Sequence, residues 1–164
     1  MTIHCFLPIE DNEAKLLILG SIPGKVSLDN AQYYAHPRNT FWPIMGELTG
    51  ALPQLAYELR TQKLNFAGIA LWDVLASCIR PGSLDSDISS IVPNDFETFF
   101  MSHPHITRIY FNGAMAEKSY KQHVLPTLTP RNLCYLRLPS TSPAHAALTY
   151  DQKLSIWRTG IQTK

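Results

Sequence analysis

Four short apolar runs separated by helical patterns constrain this chain more than any other feature. They are Leu16-Leu17-Ile18-Leu19, Gly68-Ile69-Ala70-Leu71-Trp72, Arg108-Ile109-Tyr110-Phe111 and Leu133-Cys134-Tyr135-Leu136-Arg137-Leu138. Helices are predicted over residues 39–48, ending near Gly50, and over 52–62, 93–102, 114–124 and 149–159, with Asn94 as a candidate N-cap. Strands alternating with helices imply a parallel sheet covered on both faces. The expected fold is α/β, a three-layer α/β/α sandwich around a central, mostly parallel four-stranded sheet. Such sheets bind ligands outside the carboxyl ends of their strands. The loops there carry Gly20-Ser21-Ile22-Pro23-Gly24, Asp73, Asn112-Gly113 and Pro139-Ser140-Thr141-Ser142-Pro143-Ala144, so these residues are expected to share one edge. The segment through Arg80-Pro81-Gly82-Ser83 reads as a loop. His103 and His105 flank Pro104 and read as surface loop.

The chain has 164 residues, 45% of them hydrophobic, which suits one domain (residues 1–164) with a real core. No apolar run approaches the roughly 20 residues of a membrane span. The first residues lack a basic segment leading into a long apolar stretch, so no secretory leader is expected. Cys5, Cys78 and Cys134 are too few and too scattered for a disulfide framework or a four-cysteine metal site, which points to a reducing cytoplasm. A net charge of +1 neither favours nor excludes nucleic acid, because phosphates can be gripped by backbone amides and a few cations.

The densest chemistry lies in Gln32-Tyr33-Tyr34-Ala35-His36-Pro37-Arg38-Asn39-Thr40-Phe41-Trp42. Aromatics mixed with imidazole, guanidinium and amide groups suit a pocket that stacks a flat ring and surrounds it with polar contacts. Each motif also has a plain alternative. The 20–24 segment fits an ordinary strand-to-loop turn or a backbone that approaches a ligand closely. It has neither dinucleotide-fingerprint nor P-loop spacing. The 139–144 segment fits a rigid turn capped by hydroxyls or a phosphate contact. Asp73 fits a turn cap, and His36 a core histidine. No Ser-His-Asp, Cys-His or two-histidine helix pattern supports acyl transfer or a metalloenzyme.

Taken together, four blocks resemble the uracil-DNA glycosylase superfamily, nearest its hypoxanthine and mismatch-specific uracil/thymine branches. They are Leu19 to Gly24, Tyr34 to Trp42, Gly68 to Val74 running on to Ser83, and Leu138 to Ala144. The mismatch-specific enzymes carry a catalytic asparagine where this chain has Ile22, and isoleucine cannot orient a water. The resemblance implies that Asn39 takes over the role, as the asparagine of the same block does in the hypoxanthine branch. Many relatives place a base-reading asparagine where this chain has Asp73. Both departures favour the hypoxanthine branch.

The resemblance implies hydrolysis of the N-glycosidic bond of a deaminated base flipped out of DNA, without metal, cofactor or lyase step. Asn39 would position the water, and Asp73, ionised or protonated, would read the base edge. Tyr34 or Phe41 would stack on the ring. Gly20, Ser21, Ile22, Pro23, Gly24, His36 and Asn112 complete the expected base pocket. Arg38, Ser83, Pro139, Ser140, Thr141, Ser142 and His145 are the expected DNA contacts, with His145 or a neighbour entering the vacated stack. The expected partner is DNA carrying a deaminated base, bound by a monomer in the cytoplasm at the nucleoid. A non-catalytic DNA-binding member of the fold and a uracil or mismatch-specific enzyme are the competing readings. A nucleoside hydrolase fits less well, for want of a calcium-binding aspartate cluster.

Overall fold

The computed structural model describes residues 1–81 and 88–162, so Gly82 and Ser83 lie outside the described residues. The central sheet has the order β3-β2-β6-β7, and every neighbouring pair is parallel. Its strands are β2 (Leu16–Gly20), β3 (Ile69–Asp73), β6 (Arg108–Asn112) and β7 (Cys134–Leu138). β2 is buried along its whole length, so its side chains alternate between two apolar layers. Leu17 and Leu19 pack with Phe96, Phe99 and Phe100 of α4 (Phe96–Ser102) and with Ala116 and Tyr120 of α5 (Ala114–His123). Leu16 and Ile18 pack with Phe41, Ile44 and Met45 of α2 (Phe41–Thr49), Leu64 of α3 (Tyr57–Phe66) and Trp157 of α6 (Tyr150–Gln162). This is the expected three-layer sandwich.

A second sheet was not anticipated. β1 (Thr2–His4), β4 (Leu75–Ile79) and β5 (Ser89–Pro93) form an antiparallel sheet in the order β1-β4-β5. β4 begins two residues after β3 ends, so the segment read as a loop towards Arg80 is strand up to Ile79. A short helix, α1 (Lys25–Asn30), follows the 20–24 turn.

Other boundaries move for identifiable reasons. α2 starts at Phe41 rather than Asn39, because Asn39 closes a turn onto the His36 carbonyl and its Oδ1 accepts from the Phe41 N–H at 2.9 Å. α3 starts at Tyr57 rather than Leu52. Leu52 lies so close over Gly46 that a Cβ there would sit 3.1 Å from it, and the chain turns at Pro53 before the helix can begin. Asp95, not Asn94, caps α4, accepting from the Thr98 N–H. The Asn94 amide instead donates to the Asp73 carbonyl at 2.7 Å. His103 is not surface loop: its ring stacks on Phe99 at 4.2 Å and its Nε2 lies 2.5 Å from Glu10 Oε2, while His105 is exposed as expected. No helix among the described residues is long and apolar enough to cross a membrane.

Candidate active site

The sheet's connectivity reverses between β2 and β6, and that crevice is where a doubly wound sheet opens a ligand site. A cavity of about 500 Å³ lies there, lined by Gly20 at the end of β2, Asp73 at the end of β3 and Asn112 at the end of β6. The 140–142 loop after β7 closes another side. Of the expected residues, Ser21, Ile22, Pro23, Gly24, Tyr34, His36, Asn39, Ser140, Thr141, Ser142 and His145 also line this cavity.

One wall is built around the missing side chain of Gly20. Gly20 sits in register with Asp73 across the β2–β3 ladder. A Cβ on Gly20 would lie 2.6 Å from Asp73 Oδ1 and 2.7 Å from the Tyr34 hydroxyl, so those two polar groups converge where only glycine leaves room. Asp73 is only 4% exposed. Tyr34 holds a left-handed backbone, φ 54°, a conformation that costs a bulky residue roughly 1–3 kcal/mol and survives only when its surroundings impose it. Here they do. The Tyr34 ring packs on Phe41 at 4.3 Å, and the Ala35 N–H is held by Ser27 Oγ at 3.1 Å. Its neighbour Tyr33 is pinned through its hydroxyl to the Leu7 carbonyl and through its own carbonyl to Trp42 Nε1. Burial, with the Asp73 charge as a lesser cause, pushes the Tyr33 phenol far up, so it stays neutral.

The aromatic pair is thereby divided. Phe41 is fully buried and lines no part of the cavity, so the expectation that it could meet the base directly is corrected: it backs Tyr34. Asn39 is half-buried at the start of α2. Its Oδ1 is fixed by the Phe41 N–H, which leaves one carbonyl lone pair and the amide donors for a ligand or water. His36 is not a core histidine. It lines the cavity and its Nδ1 accepts from the Arg38 N–H at 3.0 Å, which places the proton of a neutral ring on Nε2.

Asn112 and Thr141 are bound to each other at the cavity wall. Asn112 Nδ2 donates to Thr141 Oγ1, and the Thr141 N–H donates to Asn112 Oδ1, both at 2.9 Å. Thr141 is fully buried and its carbonyl accepts from the Thr40 N–H. The pair therefore bolts β6, the 140–142 loop and the start of α2 together. The expectation of Thr141 as a DNA contact is corrected on that ground. Ser140 and Ser142 differ: each hydroxyl accepts a local backbone N–H and keeps its own proton for donation. Pro139 and Arg38 lie outside the cavity lining; Pro139 gives its carbonyl to Trp157, and Arg38 is exposed.

Several lining residues were not expected in the site, Phe6, Lys25, Val26, Ser27 and Arg80 among them. Arg80, only 1% exposed, donates from Nη2 to the Pro23 carbonyl at 2.8 Å and braces the 20–24 turn. That turn is also stitched to β4, because the Val74 and Leu75 N–H groups donate to the Gly20 and Ser21 carbonyls. Phe6 lines the cavity edge-on to Tyr33 at 5.2 Å. Arg80 stood beside a Pro-Gly pair that read as loop, and Phe6 carried no local pattern at all. Among the described residues no group of three or more His, Cys, Asp or Glu could hold a metal ion.

A cavity at the carboxyl edge of a parallel sheet, with a buried carboxylate, a strained tyrosine and a hydroxyl-bearing loop, defines a doubly wound α/β domain with its ligand site at the switch point. The chain belongs to the uracil DNA glycosylase superfamily, whose family model matches residues 8–158. It is 38% identical over 109 residues to a hypoxanthine DNA glycosylase of Methanosarcina barkeri, spanning 66% of this chain and 69% of that one. It is 35% identical over 136 residues to a hypoxanthine DNA glycosylase of Methanosarcina acetivorans, spanning 77% and 86%. A solution NMR structure of a provisionally assigned uracil DNA glycosylase from M. acetivorans superposes with a TM-score of 0.79 at 30% identity, covering 99% of this chain and all of that one.

Proposed function

We propose that this protein is a monofunctional DNA glycosylase that removes deaminated bases, hypoxanthine first among them, and leaves an abasic site. The observation that carries this reading is the wall on which Asp73 and Tyr34 converge over Gly20, in the same cavity as Asn39. The names of the Methanosarcina relatives support the same substrate.

A base that leaves the duplex costs a few kcal/mol in lost stacking and pairing, least for a damaged or mispaired one. In the cavity its ring rests on Tyr34, which Phe41 keeps from yielding. In its ionised form Asp73 accepts the N1–H of hypoxanthine. Adenine presents a lone pair at N1, so the same carboxylate repels it, and a buried charge left facing a lone pair is costly. Asn39, its carbonyl already anchored, orients a water toward C1′. The water oxygen bonds to C1′ as the bond from C1′ to the base nitrogen breaks. The electron pair leaves with the base, and the proton lost by the water balances the one the base gains. The Ser140 and Ser142 hydroxyls hold the backbone phosphates on either side of the flipped nucleotide. The decisive experiment is cleavage of a duplex with one deoxyinosine, with and without alkali. Strand breaks that need both the protein and alkali support the reading. Intact strands under enzyme excess would leave the non-catalytic DNA-binding alternative standing.

A further inference from the structure

α6 supports the 140–142 loop with two side chains one helical turn apart. Trp157 donates its Nε1–H to the Pro139 carbonyl at 2.9 Å, and Lys153 donates from Nζ to the Ser142 carbonyl at 3.4 Å. Trp157 is an ordinary core residue. Lys153 is not: it is 4% exposed and forms no ion pair among the described residues. A buried ammonium is normally paired with an anion, and a single carbonyl contact longer than the usual N–H···O range does not replace one. Burial alone holds its pKa below that of an ordinary lysine. A methionine would fill the same space without the cost of the charge. The chain nevertheless carries a cation directly beneath a loop whose Ser140 and Ser142 line the cavity.

We propose that the absent counter-charge is a phosphodiester of bound DNA, so that Lys153 is the cationic floor of a phosphate subsite completed by the Ser140 and Ser142 hydroxyls. The inference rests on the reading that this loop holds DNA phosphates. It has two consequences that a purely structural lysine would not share. The free protein carries an uncompensated charge, so Lys153→Met should melt no lower than the parent. Binding of DNA should lose one phosphate neutralisation, lowering the slope of log K against log salt by about 0.9.

The test measures dissociation constants over a range of salt for a duplex containing a tetrahydrofuran abasic-site analogue. The proteins are the parent, Lys153→Met, Lys153→Arg and Ser140→Ala/Ser142→Ala, each with its melting temperature. Weaker binding and the smaller slope in Lys153→Met, with the parent slope kept in Lys153→Arg and no loss of melting temperature in Lys153→Met, is the expected result. A parent-like slope in Lys153→Met while the serine pair variant loses affinity overturns the lysine's role and leaves the loop's. Parent-like binding in both overturns the subsite and the phosphate reading of the loop together. A fall in melting temperature with unchanged salt slope makes Lys153 a packing residue and also overturns the proposal.

Discussion

Each residue of the cavity is constrained twice, once by what it offers a ligand and once by what holds it. Asn39 shows both. Asn39→Ala removes the amide proposed to place the water, and loss of one oriented polar group from a preorganised site costs on the order of 10²–10³ in rate. It also removes the bond to the Phe41 N–H, a helix-start contact that contributes about 1 kcal/mol, so a modest drop in stability should accompany the kinetic loss. Single-turnover cleavage and chemical denaturation measure the two separately, and near-parental cleavage would remove Asn39 from the mechanism. Asp73→Asn keeps the shape of the wall but turns an acceptor into a group that both donates and accepts. The ratio of inosine to uracil excision should fall. An unchanged ratio with both activities intact would show that Asp73 does not read the base.

Elements place these residues, and here the Asn112–Thr141 bolt matters most. It ties the end of β6 to the loop after β7, and Thr141 ties that loop to the start of α2. Thr141→Val keeps the volume but takes the acceptor from the half-buried Asn112 amide, which should cost about 1 kcal/mol, while Thr141→Ser should lose much less. Urea midpoints for the two variants check this; equal midpoints would contradict the bolt. The strands of the central sheet were legible because each is a compact apolar run, and their carboxyl ends gathered the polar loops as expected. β4 and β5 were not, because their mixed burial gives no clean alternation. The starts of α2 and α3 were misplaced because they depend on contacts outside the helices, an asparagine side chain in one and Leu52 over Gly46 in the other. Motif order identified most of the cavity's residues. It could not separate Tyr34, which faces the cavity, from Phe41, which backs it, and it could not see the burial of Arg80, His103 or Lys153, because burial is a tertiary property.

At the scale of the whole molecule, part of the stability is set by charges outside the cavity lining. Away from the cavity, Glu97 of α4 accepts the Thr129 N–H at 2.8 Å and the Arg131 guanidinium at 2.5 Å, contacts that hold its carboxyl down at about 2. A carboxylate whose folded value is depressed stabilises the fold above its ordinary value of 4.5, and that contribution is lost as pH falls towards about 2. Glu97→Gln should therefore flatten the acid limb of the melting curve across that window and leave excision of a deaminated base at neutral pH unchanged. Melting temperatures taken between those two pH values check it; identical acid limbs in parent and variant would contradict the assignment. In the proposed reaction the cavity accepts a flipped hypoxanthine, which is hydrolysed away from its sugar. The most direct measurement is chromatographic detection of free hypoxanthine from a deoxyinosine duplex under enzyme excess, with the parent and Asn39→Ala side by side. The expected result is stoichiometric release of the base by the parent, an abasic strand that breaks only in alkali, and release slowed by on the order of 10²–10³ in the variant. Hypoxanthine that stays attached to the DNA through a single turnover of the parent, while the duplex is bound, would contradict it.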